Sequence, residues 1–179
     1  MKHILILGAG RSSAALIQYL SEQGIHNDWK ISVADASEQA VTLLQQHYPT
    51  IDTQQLNVLN DTARQTIIEP TDLVISMLPA RFHIHVVCTC LALGTHLITA
   101  SYANDEVKEL QIEIENKKLI FLYECGLDPG LDHMSAMRTI DEITKGGGKV
   151  TSFQSSCGGL MAPGSDNNPW RYKFTWNPR

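Results

Sequence analysis

Short runs of aliphatic and β-branched residues alternate along the chain with longer stretches in which apolar positions recur at helical spacing. The short runs predict strands at residues 3–7, 30–34, 53–57, 73–76, 96–99 and 119–123. Helices are predicted between them, at residues 12–23, 37–47, 61–69, 82–93, 105–116 and 132–145. Strands that alternate with amphipathic helices are typical of βα units on a parallel sheet. The pattern therefore predicts an α/β fold.

The order of the predicted strands follows from the handedness of their connections. Right-handed crossovers favour a doubly wound Rossmann sheet in the order 3-2-1-4-5-6, with a ligand crevice beyond the carboxyl ends of the strands. We expect this domain to occupy residues 1–147 and residues 148–179 to begin a second, α+β substrate and dimerisation domain. Glycines 146–148 are either a hinge between the two or a C-terminal helix cap.

The predicted second domain starts with a strand at residues 149–155 and a turn-rich loop at 164–169. After the loop, aromatic residues recur at every second position, which indicates a strand with one aromatic face; they are Trp170, Tyr172, Phe174 and Trp176. Without a covering partner this face would be an exposed apolar patch. We therefore expect either dimerisation, as a homodimer, or aggregation of this chain.

The loop after the first predicted strand has the pattern of a dinucleotide fingerprint, because it lies between a strand and a helix. Gly8 would allow the tight turn, and Gly10 would let the backbone approach a pyrophosphate at the helix N-terminus. Arg11 and Ser12 complete the loop, and Ser13 stands where a third glycine is commonest. A small side chain is tolerated there, since that position governs packing of the helix on the strand.

An acidic residue at the end of the second strand strengthens this interpretation. Asp35 is placed to accept hydrogen bonds from the ribose hydroxyls of NAD and to repel a 2′-phosphate, so we expect NAD rather than NADP. Its alternative role is to cap the helix near Ser37. Fold geometry places two residues beside the adenine and four beneath the cofactor; they are Asn57 and Val58, then Ser76, Met77, Leu78 and Pro79.

The composition of the chain excludes some classes of binding partner. The 179-residue chain is 43% hydrophobic and 18% charged, with a net charge of -5, which argues against nucleic acid or an anionic membrane as partner. No apolar run has the length of a signal core or membrane span, so a cytoplasmic protein with a small-molecule substrate is expected. The four cysteines lack paired Cys-x-x-Cys spacing and lie in apolar segments, which favours reduced thiols over disulfides or a metal site; they are Cys88, Cys90, Cys125 and Cys157.

Four separated motifs carry a family resemblance. They are Ser101-Tyr102, the run Glu-Cys-Gly-Leu-Asp-Pro-Gly-Leu-Asp-His at 124–133, Ser-Cys-Gly-Gly-Leu-Met-Ala-Pro at 156–163, and Asn-Pro-Trp-Arg-Tyr-Lys-Phe-Thr-Trp at 168–176. Together they resemble the glutamate-forming branch of the saccharopine dehydrogenase family, in register over the whole chain. That resemblance implies an NAD(P)-dependent oxidoreductase of lysine metabolism, which converts saccharopine, NAD(P)+ and water reversibly to glutamate and 2-aminoadipate 6-semialdehyde.

The same resemblance implies roles for individual residues. Ser101 and Tyr102 would hold the substrate beside the nicotinamide, Asp128 would contact its amine or amino-acid groups, and Cys157 and Gly158 would open the second domain at the cleft. Most of the family's substrate domain would lie beyond residue 179, so we expect this chain to bind cofactor but not to turn over substrate alone.

Plainer interpretations stay open for several residues. Asp128 precedes Pro129 and Gly130, so it is also a plausible turn residue bonded to nearby backbone. His83 and His85 lie two apart on a helix and do not share a face, which argues against a metal pair. Cys88 and Cys90 lie on the same predicted helix and are expected in the hydrophobic core, whereas Cys125 and Cys157 lie nearer the cleft.

Three other functions remain as alternatives. The first is a relative that reduces another imine, such as a carboxyspermidine-type dehydrogenase. The second is a non-catalytic dinucleotide-binding or redox-sensing module, which predicts cofactor affinity without any response to substrate. The third is a purely structural or interaction role, which predicts no cofactor binding.

Overall fold

The computed structural model describes residues 1–156, 158 and 161–173. This part of the chain contains a six-stranded parallel sheet in the order β3-β2-β1-β4-β5-β6. The strands are β1 (Lys2–Leu7), β2 (Trp29–Asp35), β3 (Asp52–Gln55), β4 (Leu73–Ser76), β5 (His96–Thr99) and β6 (Phe121–Leu122). The predicted Rossmann fold and strand order are confirmed.

Helices connect the strands, as predicted. They are α1 (Ala14–Asn27), α2 (Glu38–His47), α3 (Asp61–Ile68), α4 (His83–Leu93), α5 (Asp105–Glu109), α6 (Gln111–Asn116) and α7 (Leu131–Lys145), and short 3-10 helices at Arg11–Ser13 and Ala80–Phe82 precede α1 and α4. The single helix predicted at 105–116 is divided at Leu110. Its N–H bonds to the Val107 carbonyl three residues back, which tightens the turn between α5 and α6.

Both faces of the sheet are packed against apolar side chains, which explains the continuous hydrophobic runs of its central strands. Successive residues of β1 point to opposite faces. Leu5 and Leu7 belong to one core cluster with Val86 and Cys90 of α4, whereas Ile4 and Ile6 belong to another with residues of α1 and β2. The sheet therefore holds the loops at its carboxyl edge between two packed layers.

The chain divides into two compact units, Met1–Leu131 and Asp132–Arg179. In the second, the glycines after α7 form its C-terminal cap: Gly148 N donates to the Ile143 carbonyl at 2.9 Å, Gly147 N donates to the Thr144 carbonyl at 3.0 Å, and Gly147 has a φ of 80°. This is the hydrogen-bond pattern of a Schellman motif. Capping therefore accounts for these glycines, and the hinge stays a prediction.

The strand predicted at 149–155 is wrong, because these residues form no regular secondary structure. A strand needs a neighbour for its backbone hydrogen bonds, and an apolar pattern cannot supply one. Trp170 lies in a turn and Tyr172 outside any strand, while Phe174 and Trp176 lie outside the described residues. Within the described ranges, no helix combines the length and apolarity needed to cross a bilayer.

The N-terminus of α2 offers a stability prediction. The Ser37 hydroxyl accepts a hydrogen bond from Ala40 N at 3.2 Å, satisfying a backbone donor that has no partner inside the helix. Ser37→Ala is expected to lower the free energy of unfolding by about 1 kcal/mol in chemical denaturation. Ser21→Ala is the control, since that hydroxyl only donates to Gln18 within α1. Equal losses in both variants would argue against the cap.

Candidate functional site

The loop that follows β1 is held against the end of β4. Gly8 has a φ of 103°, a backbone conformation that favours glycine, and its N–H donates to the Ala34 carbonyl at 2.8 Å. A Cβ at residue 8 would lie only 3.0 Å from the Met77 carbonyl oxygen. Gly8 is therefore required by the fold of the loop itself.

Gly10 differs from Gly8, because neither its backbone conformation nor its described neighbours require a glycine. Its φ of -72° is open to any residue, and a Cβ there would meet no atom within 4 Å. Residue 10 directly precedes the 3-10 turn that leads into α1, so it borders a helix N-terminus, which attracts anions. The open space in front of Gly10 suits a pyrophosphate.

The rest of the loop divides into exposed and buried positions. Arg11 and Ser12 are exposed beside this space. Ser13 is fully buried, and its hydroxyl donates to the Gly10 carbonyl at 2.7 Å. The serine in place of a third glycine thus fills the packing position without leaving a polar group unpaired.

The Asp35 carboxylate links this loop to the start of α2. One oxygen accepts from Ala9 N at 2.7 Å, and the other accepts from Ser37 N at 2.8 Å. Asp35 is not the cap of α2, because Ser37 fills that role. A carboxylate oxygen with one such bond retains a lone pair. Both oxygens can therefore accept from a ribose diol while they fix the loop.

A cavity of about 220 Å³ lies next to Asp35. It brings together predicted ribose, adenine and cofactor residues: Asp35, Asn57, Val58, Leu78 and Pro79 line it with Leu7, Ala34, Ala36, Leu56 and Phe82. These walls are largely apolar, as a purine ring requires. Among its described lining residues there is neither a lysine nor an arginine.

A second cluster lies at the ends of β4 and β5, and sequence reasoning missed its central residue. Ser76 is fully buried, and its hydroxyl is 2.9 Å from Nδ1 of His83; Nε2 of His83 is 2.8 Å from the Ser101 hydroxyl. The Ser76 side chain thus faces His83, beneath the surface of the cleft where Met77 and Leu78 are half-buried and Pro79 exposed.

The charge state of His83 follows from its surroundings. The residue is only 6% exposed, and burial lowers the pKa of His83, although a hydrogen bond with the Leu78 backbone opposes this. Its ring is therefore neutral at pH 7, with one nitrogen donating and the other accepting. The sequence signal was a polar residue on the same helical face as buried Val86, Val87 and Cys90.

Tyr102 and Asp128, predicted to contact substrate, are brought together. The Tyr102 hydroxyl donates to Oδ1 of Asp128 at 3.2 Å, and both side chains are exposed. Asp128 also lies in a tight turn, because Gly126 N donates to the Pro129 carbonyl at 2.8 Å and Gly130 has a φ of 147°. The turn and the substrate-binding interpretations are therefore compatible.

The cysteines occupy different environments. Cys90 is fully buried, and burial raises the pKa of its thiol to about 12, so it is unreactive. Cys88 is exposed, so its predicted core position is wrong; residues two apart on a helix lie on different faces. Cys125 is exposed, Gly158 is exposed, and Cys157 lies outside the described residues. No cluster of three metal-ligating side chains occurs among the residues that the structure describes.

Comparison with known proteins identifies two matching family models. Residues 4–122 match the saccharopine dehydrogenase NADP binding domain, and residues 126–179 match the saccharopine dehydrogenase C-terminal domain. The solved structure of apo saccharopine dehydrogenase (L-Glu forming) from Saccharomyces cerevisiae superposes with a TM-score of 0.83 at 36% identity, covering 98% of this chain and 39% of that one.

Two curated relatives match over at least 99% of the chain. It is 36% identical to saccharopine dehydrogenase [NADP(+), L-glutamate-forming] of Schizosaccharomyces pombe, spanning 39% of that protein. It is 39% identical to the mitochondrial alpha-aminoadipic semialdehyde synthase of Mus musculus, spanning 19% of that protein. The names of the family model and the fungal relative favour NADP as cofactor and do not support the predicted preference for NAD.

Proposed function

The chain belongs to the saccharopine dehydrogenase family, and we propose on this premise that it is the dinucleotide-binding part of an oxidoreductase acting on saccharopine. The reaction would transfer a hydride from the carbon beside the secondary amine of saccharopine to the nicotinamide. Water would then split the resulting imine into glutamate and 2-aminoadipate 6-semialdehyde, a step in lysine metabolism. The protein as a whole would run this reaction in either direction.

One observation supports this proposal above all: the Gly10 loop, Asp35 and the adjacent cavity lie together at one edge of the sheet. Open space at a helix N-terminus suits a pyrophosphate, the carboxylate suits a ribose diol, and the apolar cavity suits an adenine. This edge is where doubly wound sheets bind ligands, because the strand order reverses between β1 and β4.

The finer cofactor assignment rests on charge. A 2′-phosphate on the adenosine ribose would lie beside the Asp35 carboxylate, in a cavity whose described lining includes no basic side chain; the Arg81 guanidinium packs over the ring of one lining residue, Phe82, at 4.7 Å. We therefore assign to Asp35 a preference of this chain for NAD(H) over NADP(H), in contrast to the cofactor named for its fungal relatives. Basic partners are the usual device for holding a 2′-phosphate.

The substrate assignment rests on the second cluster. Ser101 and the Tyr102–Asp128 pair would orient the amino-acid groups of the substrate beside the nicotinamide, with Cys157 and Gly158 at the start of the substrate domain. Asp128 has an orienting role in this proposal, since its bond to Tyr102 fixes one carboxylate oxygen. A Rossmann domain at 1–147, a substrate domain from 148, homodimerisation and a cytoplasmic location stay predictions.

The test is turnover by the complete protein, followed through nicotinamide absorbance and glutamate release. Saccharopine with NAD+ should give equal amounts of NADH and glutamate, whereas a carboxyspermidine-type substrate should give neither. Turnover of the polyamine substrate alone would assign the protein to the other imine-reducing branch. Dinucleotide binding with no turnover of either substrate would indicate a non-catalytic module.

A further inference from the structure

His83 joins the ends of two neighbouring strands through its side chain. Ser76 is the last residue of β4, and Ser101 follows β5 by two residues. The imidazole lies between their hydroxyls, with Nδ1 2.9 Å from Ser76 Oγ and Nε2 2.8 Å from Ser101 Oγ. Both ring nitrogens therefore lie within hydrogen-bond distance of serine hydroxyls, and the side chain also has a hydrogen bond with the Leu78 backbone.

The three residues differ in exposure along this chain of hydrogen bonds. Ser76 is fully buried and His83 is 6% exposed, but Ser101 is half-buried and reaches the carboxyl edge of the sheet. Thr99 Oγ1 lies 3.3 Å from Nε2 of His83 and also accepts from Ser101 N at 3.3 Å. The cluster therefore runs from the protein interior to the side of the cleft assigned to the nicotinamide.

Ser101 is fixed by its backbone as well as by its side chain. Its carbonyl accepts from Glu124 N at 3.0 Å, which ties it to the loop after β6, and its N–H is held by Thr99. The remaining freedom is rotation of its hydroxyl. A neutral imidazole removes that freedom, because one nitrogen can only donate and the other can only accept.

We infer that His83 is a positioning residue: it fixes the direction of the Ser101 hydroxyl, so that this group offers one defined hydrogen bond to the reacting end of the bound ligand. If Nε2 carries the proton, Ser101 is free to donate; if Nδ1 carries it, Ser101 offers its lone pairs. Ser76 stabilises whichever tautomer is present from the other side of the ring. This inference rests on the proposed function, which places the substrate beside Ser101.

Two amide variants of His83 test the hydrogen bonds at Nδ1 and at Nε2 separately. The side-chain amide of asparagine overlies Nδ1 of a histidine and can still meet Ser76, whereas that of glutamine reaches the position of Nε2 and can still meet Ser101. In the complete protein, His83→Asn is expected to lower kcat/KM for saccharopine about tenfold, the effect of one lost hydrogen bond. His83→Gln should stay within about twofold of the wild type, with NADH affinity unchanged in both.

A double-mutant cycle with Ser101→Ala makes the test specific. If His83 acts through Ser101, His83→Asn should cause no further loss of kcat/KM once the serine hydroxyl is removed. Equal losses in the asparagine and glutamine variants, or additive losses in the cycle, would overturn the inference, because a merely structural histidine gives those results.

A failure of the proposed function can be distinguished from a failure of the positioning role of His83. A wild-type protein that binds NADH but does not turn over saccharopine refutes the substrate, and NMR of the ring nitrogens of His83 then decides the positioning role. A single neutral tautomer whose Nε2 resonance shifts in Ser101→Ala supports the role. A mixture of tautomers, or a spectrum unchanged by Ser101→Ala, overturns it.

Discussion

Gly10→Ala is expected to weaken NADH binding by on the order of tenfold to a hundredfold while leaving the protein as stable as the wild type. The new methyl group would enter open space with an ordinary φ, so the fold should accept it. The same methyl would hold a pyrophosphate away from the helix N-terminus and cost one hydrogen bond to a charged group, about 1.5–3 kcal/mol. Calorimetric titration and thermal unfolding would measure the two effects separately.

Gly8→Ala is the matched control, because its expected effect is the opposite. A side chain at a φ of 103° is strained, and its Cβ would be 3.0 Å from the Met77 carbonyl oxygen. Such strain costs on the order of 1–3 kcal/mol, which should appear as a lower melting temperature. Loss of stability in Gly10→Ala with unchanged NADH affinity would show that the loop does not face a pyrophosphate.

Asp35→Ala is expected to lower NADH affinity by on the order of tenfold to a hundredfold. The substitution removes the acceptors for Ala9 N and Ser37 N, loosening the loop, and also removes the partner of the ribose hydroxyls. Each charge-assisted bond is worth about 1.5–3 kcal/mol. Isothermal titration with NADH and with NADPH measures both consequences.

Asp35→Asn removes the negative charge of this side chain but keeps its size and shape. An amide keeps one oxygen acceptor for the loop but cannot repel a 2′-phosphate, so the ratio of NADPH to NADH affinity should rise about tenfold, the effect of removing roughly 1.4 kcal/mol of repulsion. If asparagine and alanine weaken both cofactors by the same factor, Asp35 acts only by holding the loop, and its role in selectivity is refuted.

The parts of the site that the sequence predicted are those encoded locally. The glycine loop and Asp35 each follow a strand whose apolar run is unambiguous, and the topology brings strand ends to one edge of the sheet. Asn57 and Val58 line the same cavity as Asp35, because they follow a neighbouring strand at that edge. The different tasks of Gly8 and Gly10 were also predicted from the motif, whereas the contact between Gly8 and Met77 is seen only in the structure, since it joins distant residues.

What the sequence could not predict depends on contacts between distant segments. The contacts of His83 could not be predicted, because its two serine partners lie 7 and 18 residues away and meet it only in the folded sheet. The strand expected at 149–155 failed for a related reason: alternation favours an extended chain but cannot provide the neighbouring strand. At Leu110, where the predicted helix is divided, a backbone hydrogen bond spans three residues, which periodicity does not reveal.

In the function proposed above, the cleft at the carboxyl edge of the sheet binds a nicotinamide dinucleotide. Titration of this chain with NADH and, separately, with NADPH, followed by nicotinamide fluorescence, would measure this binding. We expect saturable micromolar binding of NADH, weaker binding of NADPH, and NADH binding that is on the order of tenfold to a hundredfold weaker in Gly10→Ala. Absence of binding by both dinucleotides would contradict this proposal.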